Sequence, residues 1–227
     1  MNIFRIAIGL ICFSGFSQGL EMTANNNHID YDYKADNETF TKLKAEYKKD
    51  VNLFLVTEKV KDSVYTIYLL NNSKESVSLQ KSDWHLYLIQ EAKDEKGIWK
   101  PIEFFRYSWC GNSYSSYKLA SAGIIKAESI AYNGDFKTEI RFKLLIDDKV
   151  YYSNAISGTI FLSQFFLTDK VKEDSRFNEF SKIAGDKTSE KIIFLEPYGM
   201  QEFANANAEY LKWLKKKAKE RAQKGEK

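Results

Sequence analysis

Cysteine and proline are both scarce in this chain of 227 residues, which contains two of each. Two cysteines cannot form the disulfide framework that holds small secreted toxins and growth factors together. Two prolines leave no proline-rich linker that would mark a boundary between domains. The chain must therefore be stabilised by a hydrophobic core, and hydrophobic residues make up 44% of it.

Histidine is equally rare, with His28 and His85 as the two examples. A zinc site of the usual composition is hard to assemble from two histidines and so few cysteines. Near the N-terminus, four residues are spaced as the ligands of a cation loop could be: His28, Asp30, Asp32 and Asp36. The glycine and the closing glutamate of a calcium loop are missing from this segment. We therefore predict no metal site and no cofactor, and we interpret residues 20–50 as a polar, solvated N-terminal arm.

Signatures of catalysis are missing as well. The sequence contains no glycine-rich phosphate loop, no Gly-x-Ser-x-Gly elbow and no Cys-x-x-Cys pair. A nucleophilic role for Cys110 would need His85 as its base and Asn112 as the orienting residue. The spacing of these three residues gives no reason to place them in contact, and no helix is predicted to begin at Cys110 and activate it. We predict no catalytic residue, and a thiol-dependent enzyme using Cys110 is the alternative.

The first nineteen residues have the pattern of a secretory signal peptide. A positive start ending at Arg5 precedes an apolar run over residues 6–13, and Ser17 and Gly19 supply small side chains before a cleavage site. The apolar run is too short for a permanent membrane anchor, which needs about 20 residues. We expect cleavage after Gly19, which removes Cys12. The mature chain should then be exported to the periplasm or the cell exterior and contain no transmembrane segment.

Alternation of apolar and polar residues predicts a β-rich body. About seven to nine strands follow one another at roughly 8–14-residue spacing without a helical interruption, which is typical of an antiparallel two-sheet sandwich. We predict a mainly β fold, an Ig-like antiparallel β-sandwich over residues 51–165. A helical C-terminal region over residues 166–227 should follow it and end in a basic tail.

Two hairpins can be placed within this sandwich from their turn residues. The turn at Asp94–Gly97 should join the strands that flank it, the first of which is expected to run from Trp84 without a break. Asn133-Gly134 lies between two alternating runs, and both residues tolerate the positive φ that a two-residue turn requires. We therefore predict a second hairpin at Asn133-Gly134.

A long helix is predicted from Gly199 towards the C-terminus. Its apolar stripe consists of residues three or four apart, namely Phe203, Ala206, Tyr210, Leu214 and Ala218. An isolated helix of this length would be only marginally stable in water. We expect the stripe to dock on the sandwich and the lysines to face solvent.

The end of this helix is also the most basic part of the chain. From Lys212 to Lys227, eight cations stand against two glutamates, although the whole chain has a net charge of +3. A charge run of this kind usually marks a solvated face. The alternative is attraction to an anionic surface, in which Trp213, Lys216 and Lys217 would take part.

Four segments between Trp99 and Phe165 carry a resemblance to known sequences: Trp99–Phe105, Tyr107–Tyr114, Tyr132–Arg141 and Tyr152–Gly158. Together they resemble a family of uncharacterised exported proteins from Bacteroidetes-type bacteria, and the Trp-Cys-Gly-Asn-Ser block is the most distinctive part. The resemblance implies origin and compartment but no mechanism. More loosely, a strand ending in Asn-Asn-Ser, a Trp/Lys-Gly hairpin and a Gly-Asp-Phe entry into a late strand resemble Ig-like domains of the proteinase-inhibitor BsuPI type. That likeness is architectural, and architecture does not determine function.

These observations predict an exported, non-enzymatic binding or envelope-associated module. Its partner would be an unidentified protein or envelope component, with an anionic surface as a further candidate for the C-terminal helix. The alternatives are the thiol-dependent enzyme and a proteinase-inhibitor-like domain. The candidate binding residues are polar or aromatic side chains of the distinctive block and of the helix: Trp109, Cys110, Asn112, Tyr114, Trp213, Lys216 and Lys217.

Overall fold

The computed structural model describes the chain over residues 20–34, 37–47, 52–61 and 63–223. The predicted signal peptide lies outside these residues. Of the described residues, 38% are in strands and 33% in helices. The predicted mainly β class, with antiparallel sheets in a sandwich and a C-terminal helix, is confirmed.

Most strands of the described residues have the short lengths that are usual in globular proteins. In chain order they are β1 (Thr23–Ala24), β2 (Asn27–Asp30), β3 (Leu53–Lys61), β4 (Val64–Asn71), β5 (Val77–Ser82), β6 (His85–Leu86), β7 (Leu88–Lys93), β8 (Trp99–Pro101), β9 (Glu103–Phe104), β10 (Tyr114–Leu119), β11 (Ile124–Ile130), β12 (Phe136–Ile146), β13 (Lys149–Tyr152) and β14 (Ile156–Ile160). The α-helices are α1 (Asn37–Tyr47), α2 (Asp169–Asp174), α3 (Phe177–Ala184), α4 (Asp186–Ile193) and α5 (Gly199–Gln223).

Two antiparallel sheets form the sandwich. The first has the order β2-β11-β4-β3, and the second has the order β13-β12-β7-β8, with β14 also paired to β12. A smaller sheet, β10-β5-β6, adjoins them, and β1 pairs with β9 in parallel. The largest buried cluster contains side chains from both main sheets, and Tyr65 meets Phe142 there in an edge-to-face contact with centroids 5.8 Å apart. Burial of each large apolar side chain in this core contributes about 1.5–3 kcal/mol.

Helices cover the outer faces of both main sheets. On one side, Leu43 of α1 packs in a cluster with Phe54 and Leu70 of β3 and β4. On the other side, Phe180 of α3 joins a cluster with Ile89 of β7. Each outer sheet face can therefore be apolar, which explains why the strands do not show a simple alternation of buried and exposed residues.

The N-terminal segment is part of the fold, so the interpretation of its described residues as a solvated arm is wrong. Strand β2 pairs with β11, and Ile29 is 5% exposed. The buried side chain of Asn27 donates to the carbonyls of Leu86 and Leu88 and accepts from the Leu86 amide. A single amide side chain thus satisfies backbone groups where β6 ends and β7 begins.

The hairpin predicted at Asn133-Gly134 is also wrong, because the chain crosses there from one sheet to the other. Strand β11 pairs with β2 and β4, whereas β12 pairs with β7, β13 and β14. Gly134 is needed for close approach rather than for a turn, since a Cβ at this position would lie 2.0 Å from the carbonyl carbon of Ile160. The hairpin at Asp94–Gly97 is confirmed by the pairing of β7 with β8.

The strand expected to run without a break from Trp84 is divided in two. A turn at Asp83-Trp84 precedes β6, and Tyr87 separates β6 from β7. Leu86, Leu88 and Ile89 are all fully buried. Successive residues can be buried here because the sandwich core lies on one face of the sheet and the helices on the other.

Candidate functional site

Trp84 has an unfavourable backbone conformation in the turn between β5 and β6. Asp83 and Trp84 have φ angles of 46° and 73°, so both occupy the left-handed region. A two-residue hairpin turn of this kind usually takes Asn-Gly, because larger side chains crowd the backbone in this region. The pairing of Ser82 with His85 closes the turn. The Trp84 side chain is 73% exposed, so its strain is not offset by burial.

The neighbouring loop carries the Trp-Cys-Gly-Asn-Ser block and is hydrogen-bonded to this turn. The Ser108 amide donates to Ser82 Oγ at 3.3 Å, and the Asp83 amide donates to the Ser113 carbonyl at 3.1 Å. Side-chain hydrogen bonds from Ser113 and then Ser108 lower the pKa of the Asp83 carboxyl. Because backbone and side-chain bonds both join the turn to the loop, the two present their exposed residues with a defined relative geometry.

Trp109 lies in this loop and is contacted from the start of helix α3. The Arg176 guanidinium lies over the Trp109 ring, with its central carbon 4.4 Å from the ring centroid. Arg176 Nη1 donates to the Ser108 carbonyl at 2.9 Å, and its Nε donates to Glu179 at 2.9 Å. Stacking of a planar cation on the ring restricts the orientation of the indole. The Trp109 side chain nevertheless remains 73% exposed.

Two exposed tyrosines belong to the same surface. The Lys81 ammonium lies 5.6 Å from the Trp84 ring centroid and donates to the Tyr31 hydroxyl at 2.8 Å, so it connects these two side chains. The Tyr114 hydroxyl donates to the Ser108 carbonyl at 2.9 Å. We use the name aromatic rim for the four exposed aromatic side chains of this surface, which are Tyr31, Trp84, Trp109 and Tyr114.

The structure places four of the predicted binding residues in or beside this rim. Trp109 and Tyr114 belong to it, whereas Cys110 lies next to Trp109 as a free, exposed thiol. Asn112 is exposed in the short 3₁₀ turn Gly111–Ser113. This turn leads directly into β10, so the block ends where the small sheet begins.

The structure does not bring His85 to Cys110. The His85 ring contacts the Asn27 carbonyl through Nδ1. Strand β5 lies between β6 and β10, so His85 and Tyr114 are two strand spacings apart, which is about 10 Å. Within the described part of the chain, no hydrogen bond joins Cys110 to a histidine. The contact that a thiol–imidazole pair requires is therefore not formed in this arrangement.

Two of the four candidate cation ligands, Asp30 and His28, contact side chains of the neighbouring strand β11. Asp30 Oδ2 lies 3.0 Å from Lys126 Nζ, and His28 Nε2 lies 3.7 Å from Glu128. The hydrogen bond from Lys126 lowers the pKa of the Asp30 carboxyl. Across residues 20–34, 37–47, 52–61 and 63–223, no group of three or more His, Cys, Asp or Glu residues is placed to hold a metal ion. Asp36 lies outside the described residues.

The other three predicted binding residues lie on α5 and not on the loops of the rim. Trp213, Lys216 and Lys217 are all exposed. The Trp213 ring stacks on the Tyr210 ring, with centroids 5.9 Å apart and an angle of 19° between the planes. The predicted site therefore corresponds to two separate surfaces of the molecule.

Sequence reasoning missed Trp84, Lys81, Tyr31 and Arg176. Trp84 alternates with two leucines, and that pattern predicts a strand residue rather than a turn residue. A short polar segment, Ser82-Asp83, before Trp84 was the one available signal for a turn. Nothing in the sequence indicates the Arg176 contact, because the hydrogen bond from Arg176 to this loop joins residues 68 positions apart.

The comparisons with known proteins do not identify a family for this chain. None of the protein-family models that were scanned matches the chain, and no curated protein is significantly similar to it. The resemblance to exported Bacteroidetes-type proteins stays a prediction. In the part of the chain that the structure describes, no helix is both long enough and apolar enough to cross a membrane.

Proposed function

We propose that this chain is an exported, non-enzymatic recognition module that binds a protein partner of the cell envelope through the aromatic rim. Export to the periplasm or the cell exterior is part of the proposal and follows from the signal-peptide pattern of the first nineteen residues. Trp84 lies in the β5–β6 turn and Tyr114 begins β10 of the small sheet, whereas Trp109 lies in the loop before β10 and Tyr31 contacts Lys81 of β5.

The conformation of Trp84 is the observation that carries this proposal. A tryptophan with φ of 73° raises the free energy of the folded state, and a side chain that is 73% exposed recovers little of it by packing. Strain retained at an exposed position is typical of sites whose geometry serves binding. Glycine would fit the turn without strain, and the contact of the Trp84 ring with Lys81 leaves it 73% exposed, so we assign the large side chain to contact with a partner.

The composition of the rim fits a protein partner. Binding hot spots are enriched in tryptophan, tyrosine and arginine, and the rim combines Trp84 and Trp109 with two tyrosines and the supporting Arg176. Side chains that are already oriented in the free protein lose less entropy on binding. Trp109 is oriented by Arg176, and the Trp84 turn is joined to the Trp109 loop by hydrogen bonds.

Affinity capture from the envelope fraction of the producing cells tests the proposal. The bait is the chain from Leu20 onward, and the rim variant is Trp84→Ala/Trp109→Ala. The matched control is Ile98→Ala/Phe166→Ala, which removes two other exposed apolar side chains. We expect the rim variant to lose a partner that wild type and control both retain. With the purified partner, each tryptophan should account for about 30-fold in Kd, as a hot spot of about 2 kcal/mol does.

The same capture separates recognition from thiol chemistry. Cys110→Ala should retain the partner, because the proposal assigns no covalent role to this exposed thiol. Loss of capture with Cys110→Ala, together with rapid alkylation of Cys110 at neutral pH, would favour the thiol-dependent enzyme instead. Equal capture by wild type and the rim variant would contradict the proposal.

A further inference from the structure

Helix α5 packs on the body through its first two turns. Phe203 contacts Phe180 edge-to-face with centroids 5.1 Å apart, and Glu202 forms an ion pair with Lys191. Beyond these turns the contacts end: from 208 to 223 every side chain except Glu220 is exposed. The expected docking of the apolar stripe is therefore wrong from Tyr210 onward. We call residues 208–223 the projecting segment, and it extends for about 24 Å.

The projecting segment is amphipathic although it packs against nothing in the described chain. Successive residues on a helix are rotated by about 100°, so positions three and four apart share a face. One half of the segment's circumference carries five apolar side chains, Tyr210, Leu211, Trp213, Leu214 and Ala218, and from Lys217 onward it also carries Lys217 and Arg221. The first four of these are between 39% and 52% exposed. Leaving four large apolar side chains in water on one face is unfavourable, which indicates that something covers this face.

The charge of the projecting segment limits which kinds of partner can cover its apolar face. The projecting segment contains six cations and two glutamates. Lys215 and Lys216 follow Leu214 and project on opposite flanks of the apolar face, by the same 100° rotation. The glutamates are already engaged, because Glu209 pairs with Lys212 at 2.6 Å and Glu220 with Lys217 at 3.3 Å. The occupant must therefore present negative charge around an apolar interior.

We propose that the projecting segment lies in the surface of a phospholipid bilayer that carries anionic headgroups. Helices of this kind place tryptophan, tyrosine and leucine at the acyl boundary and lysines at the headgroups. Trp213 and the Tyr210 ring stacked on it supply the aromatic side chains that favour this depth. The lysines on the flanks of the apolar face keep the helix in the plane of the surface.

Two other occupants fit the same surface less well. A second copy of α5 would bring six cations of each helix together with few glutamates to pair them, and like charges across a helical seam are unfavourable. A nucleic acid would satisfy the lysines but would leave the apolar face in water. The proposed export determines which membrane the chain reaches, and the bilayer proposal rests on the proposed function in this respect alone. It does not depend on the aromatic rim.

Sedimentation with lipid vesicles tests the proposal on the chain from Leu20 onward. We compare vesicles of phosphatidylcholine alone with vesicles of phosphatidylcholine and phosphatidylglycerol at about 3:1, at physiological salt. We expect binding to the anionic vesicles and little to the neutral ones. Lys215→Ala/Lys216→Ala should weaken binding about 30-fold, since each lysine near an anionic surface contributes roughly fivefold. Leu211→Ser/Leu214→Ser should abolish it.

Matched variants on the body serve as controls. Lys118→Ala/Lys137→Ala removes two exposed lysines of the sandwich, and Ile98→Ser/Leu162→Ser removes two of its exposed apolar side chains. Both controls should bind like wild type, and so should Trp84→Ala/Trp109→Ala, which lies in the rim. Equal binding to neutral vesicles, or unchanged binding by both α5 variants, would overturn the proposal. A concentration-dependent dimer that Leu211→Ser/Leu214→Ser abolishes would assign the segment to self-association and overturn it as well.

Discussion

At the scale of single residues, Glu103 is a carboxyl buried in the core of the described chain. It is 1% exposed and accepts hydrogen bonds from the Gln90 amide, the Gln90 side chain and the Tyr132 hydroxyl. Burial away from a cation raises the pKa of Glu103 from 4.5 to about 7, although these hydrogen bonds partly oppose the shift. The folded state therefore holds a proton on this carboxyl that the unfolded state releases at lower pH.

This raised pKa predicts a pH-dependent free energy of unfolding. The contribution of protonated Glu103 is fully present below pH 4.5 and is lost as the pH rises through about 7. The loss should amount to about 3 kcal/mol, from 1.36 kcal/mol for each pKa unit. Urea unfolding at several pH values measures it. Glu103→Gln should flatten the plot of unfolding free energy against pH between pH 5 and 8. The control Glu95→Gln, at an exposed position, should leave the slope unchanged. A wild-type plot without this slope would show that the pKa of Glu103 is not raised.

Trp84 gives a second prediction at the residue scale. Alanine retains the left-handed strain at this position, whereas glycine relieves it, so Trp84→Gly should be more stable than Trp84→Ala by about 1 kcal/mol. At most helix or strand positions glycine is the less stable of the two. Thermal unfolding of the two variants gives the comparison. A glycine variant that is less stable than the alanine variant would show that the turn is not strained.

At the scale of elements, the crossover between β11 and β12 depends on Gly134. Gly134→Ala would place a Cβ 2.0 Å from the backbone of Ile160, and backbone atoms cannot move aside as the end of a side chain can. We expect a loss of about 3 kcal/mol in the free energy of unfolding. Gly111→Ala is the matched control, since nothing lies within 4 Å of a Cβ there. Equal stability of the two variants in denaturant unfolding would show that the crossover adjusts freely.

At the scale of the whole molecule, export is the prediction that decides where the surfaces can act. Sequencing the N-terminus of the chain purified from its own cells should find Leu20 first, because Ser17 and Gly19 fit the cleavage site. Fractionation should recover this form outside the cytosol. A cytosolic chain that still begins with Met1 would contradict export and, with it, an envelope partner.

The whole fold also shows which features a sequence can predict. The turn at Gly97, with φ of 76°, and the long C-terminal helix follow from local chemistry that is visible in neighbouring residues. The close approach of Gly134 to Ile160 cannot be predicted in this way, because it results from the packing of the two sheets. Trp109 is predicted as a binding residue because it belongs to the Trp-Cys-Gly-Asn-Ser block, whereas no local pattern indicates its contact with Arg176.

The described chain presents two surfaces to which our proposals assign different tasks. The sandwich and the helices on its outer faces bury most of the large apolar side chains, whereas those of the rim and of the projecting segment of α5 stay exposed. The rim is supported by hydrogen bonds and by Arg176, whereas the projecting segment is anchored at one end through Phe203. Recognition is therefore assigned to a surface of defined geometry, and surface attachment to a segment that extends from the body.

The most direct test of the recognition claim is the Kd of the captured partner for wild type and for Trp84→Gly. Glycine removes the rim side chain without imposing strain on the turn, so a change in Kd cannot be attributed to loss of folding. We predict binding weakened by about 30-fold with the free energy of unfolding maintained. A Trp84→Gly variant that binds the partner as tightly as wild type would contradict the account.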